Sequence, residues 1–427
     1  MRIGQIAIDI APLRESRDFR RLFTGQFLSR AGATISTTAA NWQVYNLTHS
    51  SLAVGLVTLG AGVGLFIGLL AGGMLADRHD RRILLIAVRI PEALLAALLM
   101  VNSLLGHPAL WPLYVVTFGL GLLSGLSSPA STAATPALVG EHQLAAAAAL
   151  NSAASQVGAL GGPAVAGLLI AGPGLAACYA INAACFVLFG IAVIGLRPLP
   201  PTVRADRPGL RSLAEGLRYV RRNGVVGGML LIDTNAMIFG MPSALFPALA
   251  SVRFHGGSAT FGLLTAAPAF GAIVGAATSG WTGRLRRPGL VVIGAGIVWG
   301  GAITAFGLVT SLPLALGFLA LAGLGDVISE VLRNALLQRY TPDQLRGRVS
   351  SLYLAQVSGA PAIGNVEAGG VARLAGLEFS VVSGGLACVA GALLLGALIP
   401  ALRTASLRGS ADGDGPPQQA EPATAPA

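Results

Sequence analysis

Apolar runs long enough to cross a bilayer recur along the whole chain, each broken by a charged or turn-forming cluster. They predict helices over roughly 21–47, 51–76, 83–105, 110–134, 143–171 and 174–196, and again over roughly 225–250, 259–283, 288–310, 312–338, 347–373 and 379–402. A span needs about 20 residues of this kind, and a helix satisfies its own backbone in lipid. The expected fold is an all-α membrane protein, with twelve transmembrane helices in two six-helix bundles over 21–196 and 225–403. Outside the bundles lie an N-terminal segment 1–20, a central loop 197–224 and a tail 404–427. The loop is polar, contains Pro and holds seven Arg; the tail, rich in Gly, Pro, Ala and Gln, reads as disordered.

Composition sharpens this. AVILMFWYC residues make up 54% of the 427 and charged residues only 11%, against roughly a quarter in soluble domains; mean hydropathy is +0.71. A soluble globular enzyme, a disordered protein and a coiled coil are excluded. All 28 basic side chains are Arg, so the chain lacks the lysine of a phosphate-binding P-loop, and ATP could act only through a separate subunit. The net charge of +10 does not indicate nucleic acid, because the arginines sit in short loops instead of on one face. With both termini cytoplasmic, 23 of the 28 fall on the cytoplasmic side, and the outer loops keep only Arg253 and Arg373. The N-terminus has no signal-peptide pattern, so the first span is expected to direct insertion. Cys178, Cys185 and Cys388 lie inside apolar runs and read as small buried hydrophobes. The five His lie in loops without a zinc-ligand spacing; no metal and no cofactor is expected.

Shifting the sequence by about 207 positions reveals a repeat. Gly55-Leu56-Val57-Thr58 falls over Gly262-Leu263-Leu264-Thr265, Gly64 over Gly271, Gly68 over Gly275 and Gly73 over Gly280. Glycines four apart bring helix backbones close. Two parallel six-helix repeats imply a site between them near the membrane midplane, a transporter architecture.

After the second span comes Gly73-Met-Leu-Ala-Asp77-Arg78-His-Asp80-Arg81-Arg82. It resembles the signature between helices 2 and 3 of the major facilitator superfamily, with Asp80 where Gly is usual. Asp77 at a helix end can pair with a facing helix N-terminus or cation and latch the cytoplasmic side; positive-inside charge alone would explain the arginines but not Asp77. The second-half copy has Arg284 in place of the acid, so the latch is expected to be one-sided. In the fifth span Gly158, Gly162, Pro163 and Gly167 resemble the superfamily's antiporter motif, with Ala166 for one Gly, and favour an exporter over an importer. Trp42 to Thr48, Ala134 to Gly140, Arg287-Pro288-Gly289-Leu290 and Gly347-Arg348-Val349 resemble the enterobactin-exporter branch and, in part, macrolide and multidrug exporters.

Ionisable residues within spans are costly unless paired or wet. Asp326, Glu330 and Arg333 share one face of the tenth span; Asp233 lies inside the seventh; Arg30, Arg89 and Glu92 lie in the first and third. Asp233, Asp326 and Glu330 are candidates for proton coupling. Arg30, with Gln26, Asn41, Tyr45, Tyr353 and Gln356, is a candidate for substrate binding. The competing reading is charge pairing for packing alone, as Arg89–Glu92 or Glu330–Arg333. Gly323-Leu-Gly325-Asp326 also matches the GxGD of intramembrane aspartyl proteases, with Pro247-Ala248-Leu249 as its companion, but the order is wrong and the chain is a repeat. The resemblance implies a proton-coupled siderophore exporter of the bacterial inner membrane, not an enzyme. Its expected partners are a small-molecule substrate, protons and the lipid bilayer, with no nucleic acid and a monomeric chain. A drug or macrolide antiporter is the alternative.

Overall fold

The computed structural model describes residues 9–200 and 210–407. The expected tail beyond 407, Arg2, Arg204, Arg207 and Arg408 lie outside these residues, as does the side chain of Arg284. After a short helical turn at Ala11–Glu15, the first long helix, α1 (Arg17–Thr48), begins earlier than its apolar pattern, because Ser16 Oγ accepts from Phe19 N at 3.1 Å and Asp18 occupies the first turn. It is followed by α2 (Ser51–Ala76), α3 (Arg81–Leu104), α4 (Trp111–Leu138), α5 (Leu144–Ala171) and α6 (Leu175–Ile194). The second half holds α7 (Gly224–Phe239), α8 (Ser258–Thr278), α9 (Pro288–Leu308), α10 (Leu312–Tyr340), α11 (Asp343–Ala375) and α12 (Leu377–Leu398).

Two expectations are corrected. The seventh run is not one unbroken helix over 225–250: α7 stops at Phe239, and after a break at 240–242 consecutive 3₁₀, α and π turns carry the chain from Ser243 to Arg253. Pro242 has no N–H and disfavours helical backbone at Met241. Neighbouring helices satisfy the break: Trp299 Nε1 donates to Gly240 O at 2.6 Å, and Asn365 Oδ1 accepts from Ala244 N and Ser243 Oγ at 2.8 Å. The central loop is not wholly irregular either. Leu210–Arg222 is a basic amphipathic helix tied beneath the second half, with Glu215 Oε2 2.6 Å from Arg348 Nη1 and the Tyr219 hydroxyl donating to Tyr340 O.

Among the described residues ten spans are long and apolar enough to cross a membrane, the seventh only when α7 is taken together with the turns that follow it to Arg253. The other two long ones, α1 and α11, have 32 and 33 residues but are too polar by that measure. Their polar side chains face protein: α1 turns Gln26, Ser29, Arg30 and Asn41 into a cavity, and α11 turns Gln356 to Asp233.

Glycines decide the packing. Gly64 and Gly68 of α2 lie against the backbone of Phe118 and Leu122 in α4, and their repeat counterparts Gly271 and Gly275 lie against Ala320 and Leu324 in α10. Gly55 and Gly262, the third matched pair, instead join the halves. A Cβ on Gly55 would stand 2.5 Å from Asn365 O of α11, and one on Gly262 would stand 2.6 Å from Pro163 O of α5. Both contacts lie at the end of the molecule opposite the termini. There Trp42 also stacks on Phe261 at 5.5 Å between ring centroids. Towards the termini these contacts give way to a cavity.

Candidate functional site

The cavity holds about 950 Å³ and is walled almost entirely by the first half. Of the second half only Val357, Ser358, Pro361 and Ala362 of α11 reach it. Hydroxyls from α4 (Ser124, Ser127, Ser128, Ser131, Thr132 and Thr135) give it a polar side, and its lining continues to Pro136 and Leu144, beside the terminus-bearing end. Arg30 projects into it exposed, its Nη1 donating to Ser155 Oγ at 2.7 Å, with no carboxylate paired to it among the described residues. Gln26 donates to Ser131 Oγ, and Asn41 lines the wall about three turns beyond Arg30 on the same face of α1. Tyr45 does not join them. One turn beyond Asn41, α1 has entered the closed end, and Tyr45 is buried with Val44, Val54 and Tyr179, edge-on to His49 at 6.0 Å.

The acids form a separate cluster in the second half. Arg333 is 3% exposed; its Nη2 lies 2.7 Å from Asp233 Oδ1 of α7 and 3.8 Å from Asp326 Oδ1, and its Nη1 donates to Ser329 Oγ at 2.8 Å. Gln356 of α11 donates to Asp233 Oδ2 at 2.9 Å, and Tyr353 approaches Arg333 from the same helix. Glu330 lies within electrostatic range of both aspartates but makes no ion pair among the described residues. The spacing-based pair Glu330–Arg333 is therefore replaced by a pairing across helices. One guanidinium pairs closely with Asp233 and loosely with Asp326, and Glu330 stands near both aspartates. Tyr353 and Gln356, expected beside the substrate, stand with these acids and not in the cavity lining. Asp233 and Asp326 share an arginine, an arrangement unlike two aspartates sharing a proton.

The Arg89–Glu92 pair does form, at 2.8 Å within α3, and both residues line the cavity. Arg89 also donates to Leu85 O at 3.2 Å and lies over the Phe189 ring at 4.5 Å, a cation–π contact.

In the loop after α2, Asp77 and Arg78 are exposed, and Asp77 has no side-chain partner among the described residues. Asp80, the departure from the signature, is the anchored acid. Its Oδ1 accepts from Arg82 N at 2.8 Å, capping α3, and from Leu199 N at 3.0 Å. Arg81 and Arg82 reach Ala133 O and Ile194 O at 3.4 and 2.6 Å. The loop thus clamps the chain leaving α6. A role for Asp80 was readable from its position just before a helix; its hold on Leu199 was not. The antiporter-motif residues divide their work. Gly162 packs on Thr34 of α1, Pro163 and Gly167 meet α8, where Ser258 Oγ donates to Gly167 O at 3.0 Å, and a Cβ on Gly158 would touch nothing.

Residues 7–421 match the family model described as transmembrane secretion effector. An enterobactin exporter of Citrobacter koseri is 33% identical over 396 residues, covering 93% of this chain and 95% of that protein. One from Shigella boydii is 32% identical over 392 residues, covering 92% and 93%. Among solved structures, a POT family transporter in complex with 5-aminolevulinic acid superposes with a TM-score of 0.73 at 14% identity, covering 91% of this chain and 97% of that one. A bacterial homolog of the lysosomal transporter Spinster, inward-facing and unoccupied, gives 0.68 at 16% identity, covering 91% and 96%. These two likenesses establish the fold.

Proposed function

Since the chain belongs to the transmembrane secretion effector family of the major facilitator superfamily, and is a multi-pass secondary transporter and not an enzyme, we propose that it exports an enterobactin-like siderophore across the bacterial inner membrane. It does so as a single chain, by proton-coupled alternating access, with both termini cytoplasmic. The observation that carries this reading is the cavity: it is bounded by hydroxyls and a carboxylate-free Arg30, which suit an acidic, polar aromatic substrate. The arginine distribution supports the orientation. It makes the glycine-lined contact the outer seal and the cavity a cytoplasm-facing one, a state in which an unpartnered Asp77 is expected.

The acids around Arg333 supply the coupling step. Asp326 pairs with the guanidinium only at 3.8 Å and Glu330 stands beside the two aspartates, so a proton on either changes the balance of charge among α7, α10 and α11. In proteoliposomes an imposed pH gradient should drive transport, ATP should have no effect, and Asp326→Asn should lose the response to the gradient. Uncoupler-insensitive, ATP-dependent export by the purified chain would sink the proposal. The excess of carboxylates favours the second reading, efflux of cationic drugs. Dye efflux that survives Arg30→Gln but fails with Asp326→Asn would select it.

A further inference from the structure

One helix, α11, meets both the acid cluster and the cavity. Tyr353 and Gln356 face the acids, whereas Val357, Ser358, Pro361 and Ala362, on the other side of the same turns, line the cavity. One turn beyond Pro361, Asn365 accepts from Ala244 N, and its own carbonyl lies against Gly55 where the halves join. Pro361 has no N–H to give to Val357 O, so α11 bends most easily between these two stations.

Asp233 is the acid hydrogen-bonded to α11, and both of its oxygens face donors. Arg333 Nη2 lies 2.7 Å from Oδ1, and Gln356 Nε2 donates to Oδ2 at 2.9 Å. Asp326, Glu330 and Arg333 of α10 and Tyr353 of α11 are the charged and titratable groups around it among the described residues. A guanidinium only donates, while an amide carries a donor and an acceptor. An ionised Asp233 suits both neighbours. A proton passed to it from Asp326 or Glu330 settles on Oδ2, because Oδ1 stays with the guanidinium, and there it meets the amide N–H. Two donors then point at each other, which costs a buried hydrogen bond. The amide must turn its oxygen towards Asp233 or withdraw, and either movement shifts the turns of α11 that line the cavity.

We propose that Gln356 is a positioning residue through which α11 senses a proton on Asp233 and passes the change to the cavity wall at Val357 and Ser358. This rests on the proton-coupled reading above and adds which side chain joins proton to substrate. Gln356 touches no substrate; it acts through the helix that carries it.

The test measures two rates for enterobactin with the full chain in proteoliposomes: net transport driven by a pH gradient of fixed size, and exchange of labelled for unlabelled substrate without a gradient. The readout is the ratio of the first to the second. A purely structural role, or contact with substrate, would lower both rates and leave the ratio alone. Gln356→Met keeps the length of the side chain and removes the amide, so its ratio should fall by about tenfold, the worth of one buried hydrogen bond. Gln356→Glu keeps the shape, and its carboxyl donates to Asp233 only while protonated. Its ratio should approach that of the wild type in acid and fall as the pH rises. Thermal melting checks that each variant is folded. A wild-type ratio in either folded variant across the whole pH range overturns this inference and leaves the transport reading standing. Wild-type transport that ignores the gradient overturns the two together.

Discussion

Each half buries an arginine in the apolar layer, and each neutralises it differently. In the first half Arg89 meets Glu92 on the same helix, with Phe189 beneath it: one positive charge, one negative, and a geometry fixed by helical spacing. In the second half Arg333 draws on α7 and α10, pairing closely with Asp233 and at 3.8 Å with Asp326, while Glu330 nearby adds a further negative charge. The first arrangement survives any rigid movement of α3. The second depends on how α7, α10 and α11 stand relative to one another, so its charge balance and the helix arrangement must change together. A balanced local pair suits a binding wall; an unbalanced pair shared between helices suits a transducer.

The largest effect should come from breaking the shared pair. Arg333→Leu strands Asp233 and should cost about 3–5 kcal/mol, read as a fall in melting temperature of the detergent-purified chain. Adding Asp233→Leu should restore most of the loss. Equal destabilisation by the single and double variants would erase the distinction between the two clusters. Next in size, Arg30→Gln should lower export of an anionic siderophore by roughly tenfold with melting unchanged, because Arg30 is exposed and bonded only to Ser155. Unaltered export would remove the anion-binding role from the first half.

The smallest contrast lies three residues apart. Asp77→Asn should reduce transport and leave stability alone, since Asp77 is exposed and has no side-chain partner among the described residues. Asp80→Ala should cost about 1 kcal/mol through the lost cap on α3. If the two variants exchange phenotypes, the latch and the clamp have been assigned to the wrong acids.

What was legible in the sequence follows the range of each interaction. The α2 boundaries, expected at 51–76, are those observed, because hydropathy and the Ser50 cap are local. The repeat was legible too: Gly64 and Gly271 do equivalent packing in the two halves. The Arg89–Glu92 pair could be read from i,i+3 spacing. Arg333–Asp233 could not, because its partners stand 100 positions apart and helical periodicity carries no information between helices. Tyr45 was misplaced for a related reason: a helical face continues past the point where the cavity ends. The helix Leu210–Arg222 was hidden by the prolines preceding it, although its apolar residues recur at helical intervals.

The contact that joins the halves at the end away from the termini includes three crossings of glycine against backbone oxygen, with Gly55 on Asn365, Gly262 on Pro163 and Gly167 on Ser258. At these crossings there are almost no side-chain rotamers to freeze on closing or to release on opening, so conformational entropy is exchanged mainly where Trp42 and Phe261 unstack beside them. A single methyl group added there would act as a doorstop. Gly55→Ala or Gly262→Ala should leave each half intact and bias the whole molecule towards the conformation in which these surfaces are apart.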